Sequence, residues 1–305
     1  MLNIYIQTGK FSGGPTVFRT RITEALQKIE GVNVVSDANQ PFNVELALIR
    51  FMSKHRRPRV LRLDGCYYRR DQHLRNLPMR DAVLGAKHVI YQSEYSKNMC
   101  KKILGLDPAS TVIHNGIDLD YINKIPPRSD IKPGSFVASA AWRDNKRPHS
   151  MIKGFLAADT KRDLYIIGNT KHISKHLRRK DNIHCLGEIP AEEVISVMKA
   201  CDYQLHLCFI DSCPNAVVEG LACGLNVLCT NLGGTPELVQ GNGYILNVDS
   251  DNYIKTQPSI VDNLNPKVVA EGIYKLMQIK ERANRPDLDI NNVAQQYYKV
   301  LKNVI

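Results

Sequence analysis

The sequence Asp211-Ser-Cys-Pro-Asn-Ala-Val-Val-Glu-Gly-Leu-Ala-Cys-Gly224 joins a turn to a short apolar helix pattern. One apolar run, Tyr203 to Ile210, comes before it, and another, Leu225 to Thr230, comes after it. Pro214 is placed to start a helix and Gly224 to end one. The stretch therefore predicts a strand, a turn, a helix and a further strand, which is the repeating unit of a parallel α/β sheet.

Two carboxylates occupy unusual positions in this stretch. Asp211 falls in the turn, and Glu219 falls inside the apolar helix, between Val218 and Leu221. A charged side chain is costly to bury unless it has a polar partner, and a ligand hydroxyl is one such partner. The two acids therefore indicate a ligand site around this helix.

Short runs rich in valine and isoleucine alternate with helical patterns along nearly the whole chain, which indicates βαβ units. In the first half the strand candidates are Leu2 to Gln7, Val32 to Val35, Val44 to Arg50, Arg59 to Leu63, His88 to Gln92 and Thr111 to His114. In the second half they are Ser135 to Ala140, Asp163 to Gly168, Asn182 to Leu186, Asp202 to Cys208, Leu225 to Thr230 and Gly243 to Leu246. We expect an α/β fold of two doubly wound, Rossmann-like domains that face each other across a cleft, with ligands beyond the carboxyl ends of the strands.

The best linker candidate is Ile125-Pro-Pro-Arg-Ser-Asp-Ile-Lys-Pro-Gly134, because prolines and glycines interrupt helices and strands. A boundary here gives a first domain over residues 1–127 and a second over 128–288. A chain of 305 residues is long enough for two domains with separate cores. The last pattern, Leu288 to Ile305, has apolar residues at helical spacing.

The composition, with 43% hydrophobic and 23% charged residues, is that of an ordinary globular protein. The net charge of +11 would attract phosphates, nucleotide-linked sugars, nucleic acid or an acidic membrane surface. The eight cysteines mostly lie in apolar runs without a CxxC pair, which favours buried free thiols over zinc. The first residues are too polar for a signal peptide, and no run approaches the ~20 apolar residues of a membrane span. We expect a cytoplasmic protein that can touch a membrane peripherally.

Glycines and an acid follow two strand candidates of the first half. Gly13 and Gly14 precede a helix that starts near Pro15, where the backbone N–H groups favour anions, although a simple tight turn explains the glycines equally well. Their spacing is not that of a dinucleotide fingerprint. Asp64 ends another strand candidate, either as a site residue or as the cap of the next helix.

Basic residues follow the first strand candidate of the second half. Arg143, Lys146 and Arg147 can neutralise a diphosphate leaving group there, whereas charge counting alone favours a solvated loop. His206, on an apolar strand, is interpreted as a core histidine with satisfied hydrogen bonds. Asp118-Leu-Asp120 has the spacing of a metal-binding DxD, but its position favours a loop at a domain boundary.

Together these motifs resemble those of the retaining, nucleotide-sugar-dependent glycosyltransferases with the GT-B fold, a group that includes sucrose synthases and bacterial glycogen synthases. The resemblance is strongest from Asp211 to Val239, which contains the paired acids, Ala-Cys-Gly and the loop Gly233-Gly-Thr-Pro-Glu237. It extends through Gln92 to Ser96, Val112 to Asp118 and Trp142 to Arg147. The combination is specific, although each piece alone is weak.

The resemblance implies roles for both acids. Glu219 would bind the ribose hydroxyls of the donor nucleotide, and Asp211 would lie against the hydroxyls of the transferred sugar. The family usually has glutamate at the first position and Gly-Phe in place of Ser212-Cys213, so the sugar contact differs here. The neighbouring residues expected to line the donor site are Ser212, Cys213, Pro214, Asn215 and Ala216.

Other loops carry further residues that match the family. Arg143 and Lys146 resemble the basic pair on the donor diphosphate, Arg147 can replace either, and Gly13-Gly14 matches the family's glycine loop. Many members place a histidine near the sugar at the end of a first-domain strand, where this chain has Asp64. The candidate catalytic residues are therefore Asp211, Arg143, Lys146 and Asp64.

The reaction implied is transfer of a sugar from a nucleoside diphosphate, UDP or GDP, to a hydroxyl of a glycan, lipid-linked or protein acceptor with retained configuration. The acceptor would attack on the face that the phosphate leaves, while the protein supplies positioning and charge stabilisation. No metal, cofactor or nucleic-acid partner is expected. The C-terminal helix, 289–305, is expected to complete the first domain.

Two other functions stay open at the level of sequence. Nucleotide-sugar epimerases and phosphorylases share the fold, but the paired acids together with the loop Gly233 to Glu237 favour transfer. A basic nucleic-acid-binding protein would cluster basic and aromatic residues on one face, whereas the basic residues here are dispersed.

Overall fold

The chain forms two compact units. A computed structural model describes residues 1–7, 13–248 and 264–305. Unit 1 comprises Met1–Asp118 and Asp287–Ile305, and unit 2 comprises Leu119–Pro286. The proline-rich segment 125–134 lies within unit 2, and the domain limits at 127 and 288 stay a prediction.

Unit 1 is built on a parallel sheet whose described strands follow the order β2-β1-β3-β4-β5-β6. These strands are β1 (Leu2–Ile6), β2 (Val32–Val35), β3 (Val44–Leu48), β4 (Arg59–Leu63), β5 (His88–Tyr91) and β6 (Ser110–Val112). Its helices are α1 (Gly14–Gln27), α2 (Leu77–Gly85), α3 (Glu94–Leu104) and the C-terminal α11 (Ile290–Asn303), with a 3-10 helix at Arg70–Asn76. Separate apolar cores, one holding α1 and α11 and the other holding residues of α2 and α3, show that helices cover both faces of the sheet.

Unit 2 is built on a second parallel sheet, with the order β12-β11-β10-β7-β8-β9. Its strands are β7 (Phe136–Ser139), β8 (Leu164–Ile167), β9 (Ile183–Gly187), β10 (Tyr203–His206), β11 (Asn226–Thr230) and β12 (Gly243–Leu246). Its helices are α4 (Leu119–Lys124), α5 (Pro148–Ala158), α6 (Lys175–Arg178), α7 (Ala191–Ala200), α8 (Asn215–Ala222), α9 (Thr235–Val239) and α10 (Pro266–Met277). Strands β7 to β9 extend the sheet in one direction and β10 to β12 in the other, so the winding reverses between β7 and β10.

The strand predictions are confirmed, because each candidate run forms a strand with ends close to those expected. In a parallel sheet covered on both faces, strands read as continuous apolar runs. Strand β8 shows why this signal was readable, since all four of its residues are buried. The α/β class with two doubly wound sheets is therefore correct.

Helix α11 packs in the core of unit 1. Its buried residues Ile290, Val293, Tyr297 and Leu301 recur every three or four positions and so lie on one face of the helix. The ring of Tyr297 lies 5.7 Å from that of Phe18 on α1. The apolar face predicted near the C terminus is thus the face that joins α1.

Helices α5 and α10 of unit 2 approach so closely that no side chain fits at Gly154. A β-carbon there would lie 2.2 Å from Cγ1 of Val269 on α10. Val269 is fully buried, and its branched side chain cannot swing away from the contact. Glycine at 154 therefore sets the distance at which the two helices cover the sheet.

We expect Gly154→Ala to lower the free energy of unfolding by about 1–3 kcal/mol, because the clash outweighs the better helix propensity of alanine. Chemical denaturation followed by circular dichroism measures the change. Lys153→Ala, at an exposed position on the same helix, is the matched control. In a Val269→Ala background Gly154→Ala should cost less, and an equal cost in both backgrounds would refute the contact.

Candidate functional site

Lys146 and Asp211 meet at the point where the winding of the second sheet reverses. Lys146 lies in the loop after β7 and Asp211 in the loop after β10, and these two strands are neighbours. Nζ of Lys146 donates to Oδ2 of Asp211 at 2.5 Å, and the side chains are only 13% and 23% exposed. Doubly wound sheets bind ligands at such a reversal, beyond the carboxyl ends of the strands. The ion pair therefore marks the candidate site in unit 2.

The ammonium group of Lys146 is held in its charged form. Burial by itself would lower the pKa of Lys146, but the neighbouring Cys208 and Asp211 outweigh burial and raise this pKa above its usual value. The loop after β7 thus supplies a fixed positive charge to the site.

Asn145 ties the loop after β7 to the segment before Asp211. Its carbonyl accepts a hydrogen bond from the N–H of Phe209 at 2.7 Å, and its side-chain oxygen accepts one from Nε of Arg143 at 2.9 Å. Arg143 is exposed, whereas Arg147 is buried, with its guanidinium 5.0 Å from the centre of the Phe209 ring. Among the basic candidates in this loop, Lys146 forms an ion pair with Asp211.

The Gly233-Gly234 pair after β11 holds the backbone of Asp211. The N–H of Gly234 donates to the carbonyl of Asp211 at 2.8 Å. Gly233 has a left-handed φ of 76°, and a β-carbon there would lie 2.5 Å from the carbonyl oxygen of Asp211. Glycine at 233 is therefore required twice, by its backbone angle and by its contact with Asp211.

Helix α8 starts just after Asp211, with Pro214 as its N-cap residue. Proline offers no capping side chain, and a helix start of this kind favours an anion. A β-carbon at Gly220 would lie 2.1 Å from Oε1 of Gln204, so α8 packs closely on β10. Of the other predicted donor-site residues, Cys213 and Pro214 are buried, and Ser212, Asn215 and Ala216 are half-buried.

Glu219 lies on the half-buried face of α8. The helix buries Val218 and Leu221, while Glu219 shares the opposite stripe with Asn215 one turn before it. The carboxylate is thus presented away from the apolar neighbours that flank it in sequence. This placement follows from the helical period, which separates adjacent residues by about 100°.

His206 ends β10 beside the ion pair. It is 7% exposed, and its Nε2 makes no hydrogen bond within residues 1–7, 13–248 and 264–305. Nε2 lies 4.0 Å from Oδ2 of Asp211. Burial lowers the pKa of His206 to about 4, with Lys146 adding to the effect and Asp211 opposing it. The interpretation of His206 as a core histidine is thus right about its burial, but wrong about its hydrogen bonds, because Nε2 has no partner among the described residues.

Cys208 joins His206 and Asp211 in a cluster whose ligand atoms lie within 4.8 Å of one another, a donor set that suits a metal such as Zn²⁺. Two features oppose a metal here. Lys146 already places a positive charge against the Asp211 carboxylate, and like charges repel. Burial raises the pKa of Cys208 to about 11, and a protonated thiol is a poor metal ligand.

Asp64 follows β4 at the carboxyl edge of the first sheet. It pairs with Arg62, which is 1% exposed, lies 3.8 Å from the ring centre of Phe18 and donates to Oδ1 of Asn115 at 2.7 Å. Burial raises the pKa of Asp64, against the opposing charge of Arg62. The alternative that Asp64 caps the next helix is wrong, because that helix starts at Arg70 and its N-cap residue is Arg69.

Gly13 and Gly14 begin α1, with Pro15 in its first turn as predicted. Gly13 has a φ of 72°, and a β-carbon there would meet nothing within 4 Å. The backbone angle rather than crowding therefore favours glycine at 13. Residues 8–12 of the predicted glycine loop lie outside the described residues.

The predicted residues gather at the carboxyl edge of one sheet or the other. In unit 2 the ion pair lies beside the start of α8, and Glu219 follows one turn along that helix, whereas in unit 1 the edge carries Gly13, Gly14 and Asp64. Sequence reasoning missed the parts played by Asn145, His206 and Cys208. The signal for the last two was present, because they alternate with apolar residues on the run that leads to Asp211.

A model of the family "Glycosyl transferases group 1" matches residues 126–288. The chain belongs to this family. The match spans more than half of the chain and contains the Lys146–Asp211 pair, helix α8 and the Gly233-Gly234 loop. This glycosyltransferase therefore carries its family signature in unit 2.

Solved glycosyltransferase structures share the GT-B fold of this chain. HepE from Anabaena, solved in complex with UDP, is 17% identical with a TM-score of 0.72, and the alignment covers 99% of this chain and 100% of HepE. Sucrose-phosphate synthase from Thermosynechococcus elongatus is 12% identical with a TM-score of 0.67, covering 99% and 95% of the two chains. At such identities the likeness shows the fold alone.

Two sequence relatives belong to phosphatidylinositol N-acetylglucosaminyltransferase, each as one of its subunits. The Arabidopsis thaliana protein is 25% identical over 135 residues, which are 41% of this chain and 30% of the relative. The human protein is 25% identical over 129 residues, which are 42% of this chain and 24% of the relative. The chain thus matches under a third of the length of either protein.

We expect Gly233→Ala to impair the site more than Gly241→Ala. Both glycines have a positive φ, 76° and 84°, but a β-carbon at 241 would meet nothing within 4 Å. Both variants introduce the same kind of backbone strain. Any additional loss of stability in Gly233→Ala therefore reports the contact with Asp211. We expect an additional loss of about 1–3 kcal/mol in the free energy of unfolding, measured by denaturation. Equal losses would show that Gly233 does not hold Asp211.

Proposed function

We propose that this glycosyltransferase moves a sugar from a nucleoside diphosphate to an acceptor hydroxyl, with retained configuration and without a metal ion. The observation that carries the proposal is the Lys146–Asp211 ion pair at the reversal of the second sheet, beside the start of α8. Cation, helix start and carboxylate together suit a ligand that joins a diphosphate to a sugar.

The parts of the donor divide among these groups. Lys146, the exposed Arg143 and the start of α8 bind the diphosphate and stabilise the charge that develops as it leaves. Glu219 binds the ribose hydroxyls, and Asp211 accepts a hydrogen bond from the transferred sugar. HepE has been solved with UDP and with UDP-glucose, which supports UDP as the nucleotide.

The absence of a metal requirement rests on Lys146. A divalent cation commonly neutralises a diphosphate leaving group, and a lysine held at the site by Asp211 supplies the same kind of charge stabilisation. The raised pKa of Lys146 keeps this charge in place at neutral pH. Arg143 adds a second cation at the surface of the same loop.

Retention without a covalent intermediate is supported by the environment of Asp211. Its carboxylate already accepts a hydrogen bond from Lys146, which makes it a hydrogen-bond acceptor for the sugar rather than a free nucleophile. The acceptor hydroxyl attacks on the face that the phosphate leaves, and the phosphate takes the proton. Positioning and charge stabilisation then account for the role of the protein.

We also propose a lipid-linked acceptor, reached through a membrane-binding surface on unit 1. This surface consists of α2, the 3-10 helix before it and the loop after β3. It exposes Met52, Leu74, Leu77 and Leu84 by 54% or more. Arg50, Phe51 and Met52 border the same hollow as three residues of α2, so the loop and α2 are contiguous; these three are Pro78, Asp81 and Ala82.

Charge favours an anionic lipid surface as the occupant. The exposed basic residues on or beside this surface are Arg50, Lys54, Arg56, Arg57, Arg75, Arg80 and Lys87, and the exposed acidic ones are Asp71 and Asp81. Apolar side chains among excess basic charge suit the interface of an anionic bilayer. None of the described helices is long and apolar enough to span a membrane. The two relatives named for phosphatidylinositol support the same kind of acceptor.

We expect UDP or GDP, with or without EDTA, to raise the unfolding temperature by about 5 °C at saturation, because a ligand of the native state stabilises it. ADP and dTDP serve as comparisons. Glu219→Ala should abolish the shift, whereas Asp211→Ala should keep the shift and lose sugar transfer. NMR of the product should show the anomeric configuration of the donor.

Several outcomes would contradict the proposed reaction. If none of the four nucleotides raises the unfolding temperature, the donor site is refuted. If EDTA abolishes the rise in unfolding temperature, metal independence is refuted. Turnover of the donor without an acceptor would favour an epimerase of the same fold. Strongly salt-dependent oligonucleotide binding without any nucleotide response would favour a nucleic-acid-binding protein.

We expect the protein to float with vesicles of phosphatidylcholine and phosphatidylglycerol, and to float much less with phosphatidylcholine alone. Leu74→Gln combined with Leu84→Gln should weaken binding at least fivefold, because both side chains enter the interface. Val268→Gln, at an exposed valine of unit 2, is the control. Equal binding to both vesicles, or no effect of the leucine changes, would contradict this surface.

A further inference from the structure

Nε2 of His206 is a buried polar atom that the proposed reaction leaves unused. His206 is 7% exposed, and among the described residues this nitrogen has no hydrogen-bond partner. Leaving such an atom unsatisfied costs the desolvation free energy of a polar group. A bound ligand that supplies the missing partner would recover this energy.

The position of this nitrogen relative to Asp211 defines the missing partner. Nε2 of His206 and Oδ2 of Asp211 are 4.0 Å apart, too far for a direct hydrogen bond. One oxygen atom at about 2.8 Å from each would bridge them, with an angle of roughly 90° at that oxygen. The separation of the two atoms therefore matches a single bridging hydroxyl oxygen.

We propose that His206 and Asp211 together hold one hydroxyl of the sugar in the donor, which makes His206 a further sugar-binding residue. The inference rests on the proposed function, because it assumes a sugar nucleotide in this site. The hydroxyl donates to the Asp211 carboxylate and accepts from the Nε2–H of His206, so one group satisfies both.

The protonation of the two side chains suits this arrangement. An ionised carboxylate only accepts hydrogen bonds, and a neutral imidazole donates from one ring nitrogen. Burial keeps the pKa of His206 near 4, so the ring is neutral at physiological pH. Lys146 contacts the same Oδ2 and holds the carboxylate in position. A group that both donates and accepts, as a hydroxyl does, fits between them better than an anion or an ether.

A metal ion is the rival occupant, since Cys208 completes a possible ligand set. The Lys146 ammonium, 2.5 Å from Oδ2, opposes a divalent cation at the same oxygen. The protonated Cys208 thiol opposes it further.

A consequence for specificity follows from the paired donor and acceptor. A site built to hydrogen-bond a hydroxyl strongly rejects the analogue that lacks it, because its buried groups are then left unpaired. One hydroxyl of the sugar should therefore be indispensable, and its monodeoxy analogue should bind poorly.

The test compares binding of the nucleotide with binding of the sugar nucleotide by calorimetry. The probes are UDP, UDP-glucose, UDP-N-acetylglucosamine, GDP and GDP-mannose. His206→Leu should weaken the sugar nucleotide that the wild type binds best by about tenfold, through loss of one hydrogen bond, and leave the free nucleotide within about twofold. His206→Gln, which keeps an N–H donor, should recover part of the loss.

Controls separate a contact with the sugar from a change in folding. His184→Leu is the matched variant, because His184 also lies beside an aspartate, 3.0 Å from Asp163, but on the edge strand β9 of the same sheet. It should leave both affinities unchanged. Monodeoxy donors complete the test. The analogue that lacks the bridging hydroxyl should bind the wild type more weakly than the intact donor does. His206→Leu should bind this analogue no more weakly than the wild type does, because the contact is already absent.

Each outcome decides between the proposals. No binding of any nucleotide by the wild type would refute the proposed function, and this inference with it. Normal nucleotide binding with unchanged sugar-nucleotide binding in His206→Leu would refute this inference alone. Zn²⁺ binding that requires both His206 and Cys208 would assign the cluster to a metal instead.

Discussion

The ion pair between Lys146 and Asp211 is the contact on which the second unit's site depends. It bridges the loops after β7 and β10, between which the strand order reverses. At such a reversal the connections on the two sides lead away from each other and leave a crevice. The pair joins the two loops and places a cation and a carboxylate beside each other at this reversal.

Backbone contacts around the ion pair explain why the motif residues are of the types observed. Gly233 leaves room for the carbonyl of Asp211, and Gly220 leaves room for Gln204 beneath α8. Asn145 fixes the two loops to each other through the N–H of Phe209. None of these residues needs to touch a ligand. Each of them sets the distance between the elements that carry the candidate site residues. The glycines of the motif thus shape the site through packing.

Unit 1 places an acid at the edge of its sheet by a different route. Asp64, which follows β4, takes its cation from Arg62, two positions earlier on that strand. The Arg62 guanidinium is fully buried against Phe18, so its charge is balanced by Asp64 and by hydrogen bonding to Asn115. In unit 2 the cation comes from a neighbouring strand's loop instead. The first arrangement is local in sequence, whereas the second exists only after the sheet has formed.

The sequence by itself determined the α/β class, the positions of the strands, the helix start at Pro214 and the two acids around it. These features are encoded locally, because parallel strands read as apolar runs and helix ends favour particular residues. Only the tertiary structure decided that Lys146 donates to Asp211, and that Nε2 of His206 has no hydrogen-bond partner among the described residues. Such facts depend on strand order and on contacts between residues far apart in the chain. Neither periodicity nor spacing along the sequence carries that information.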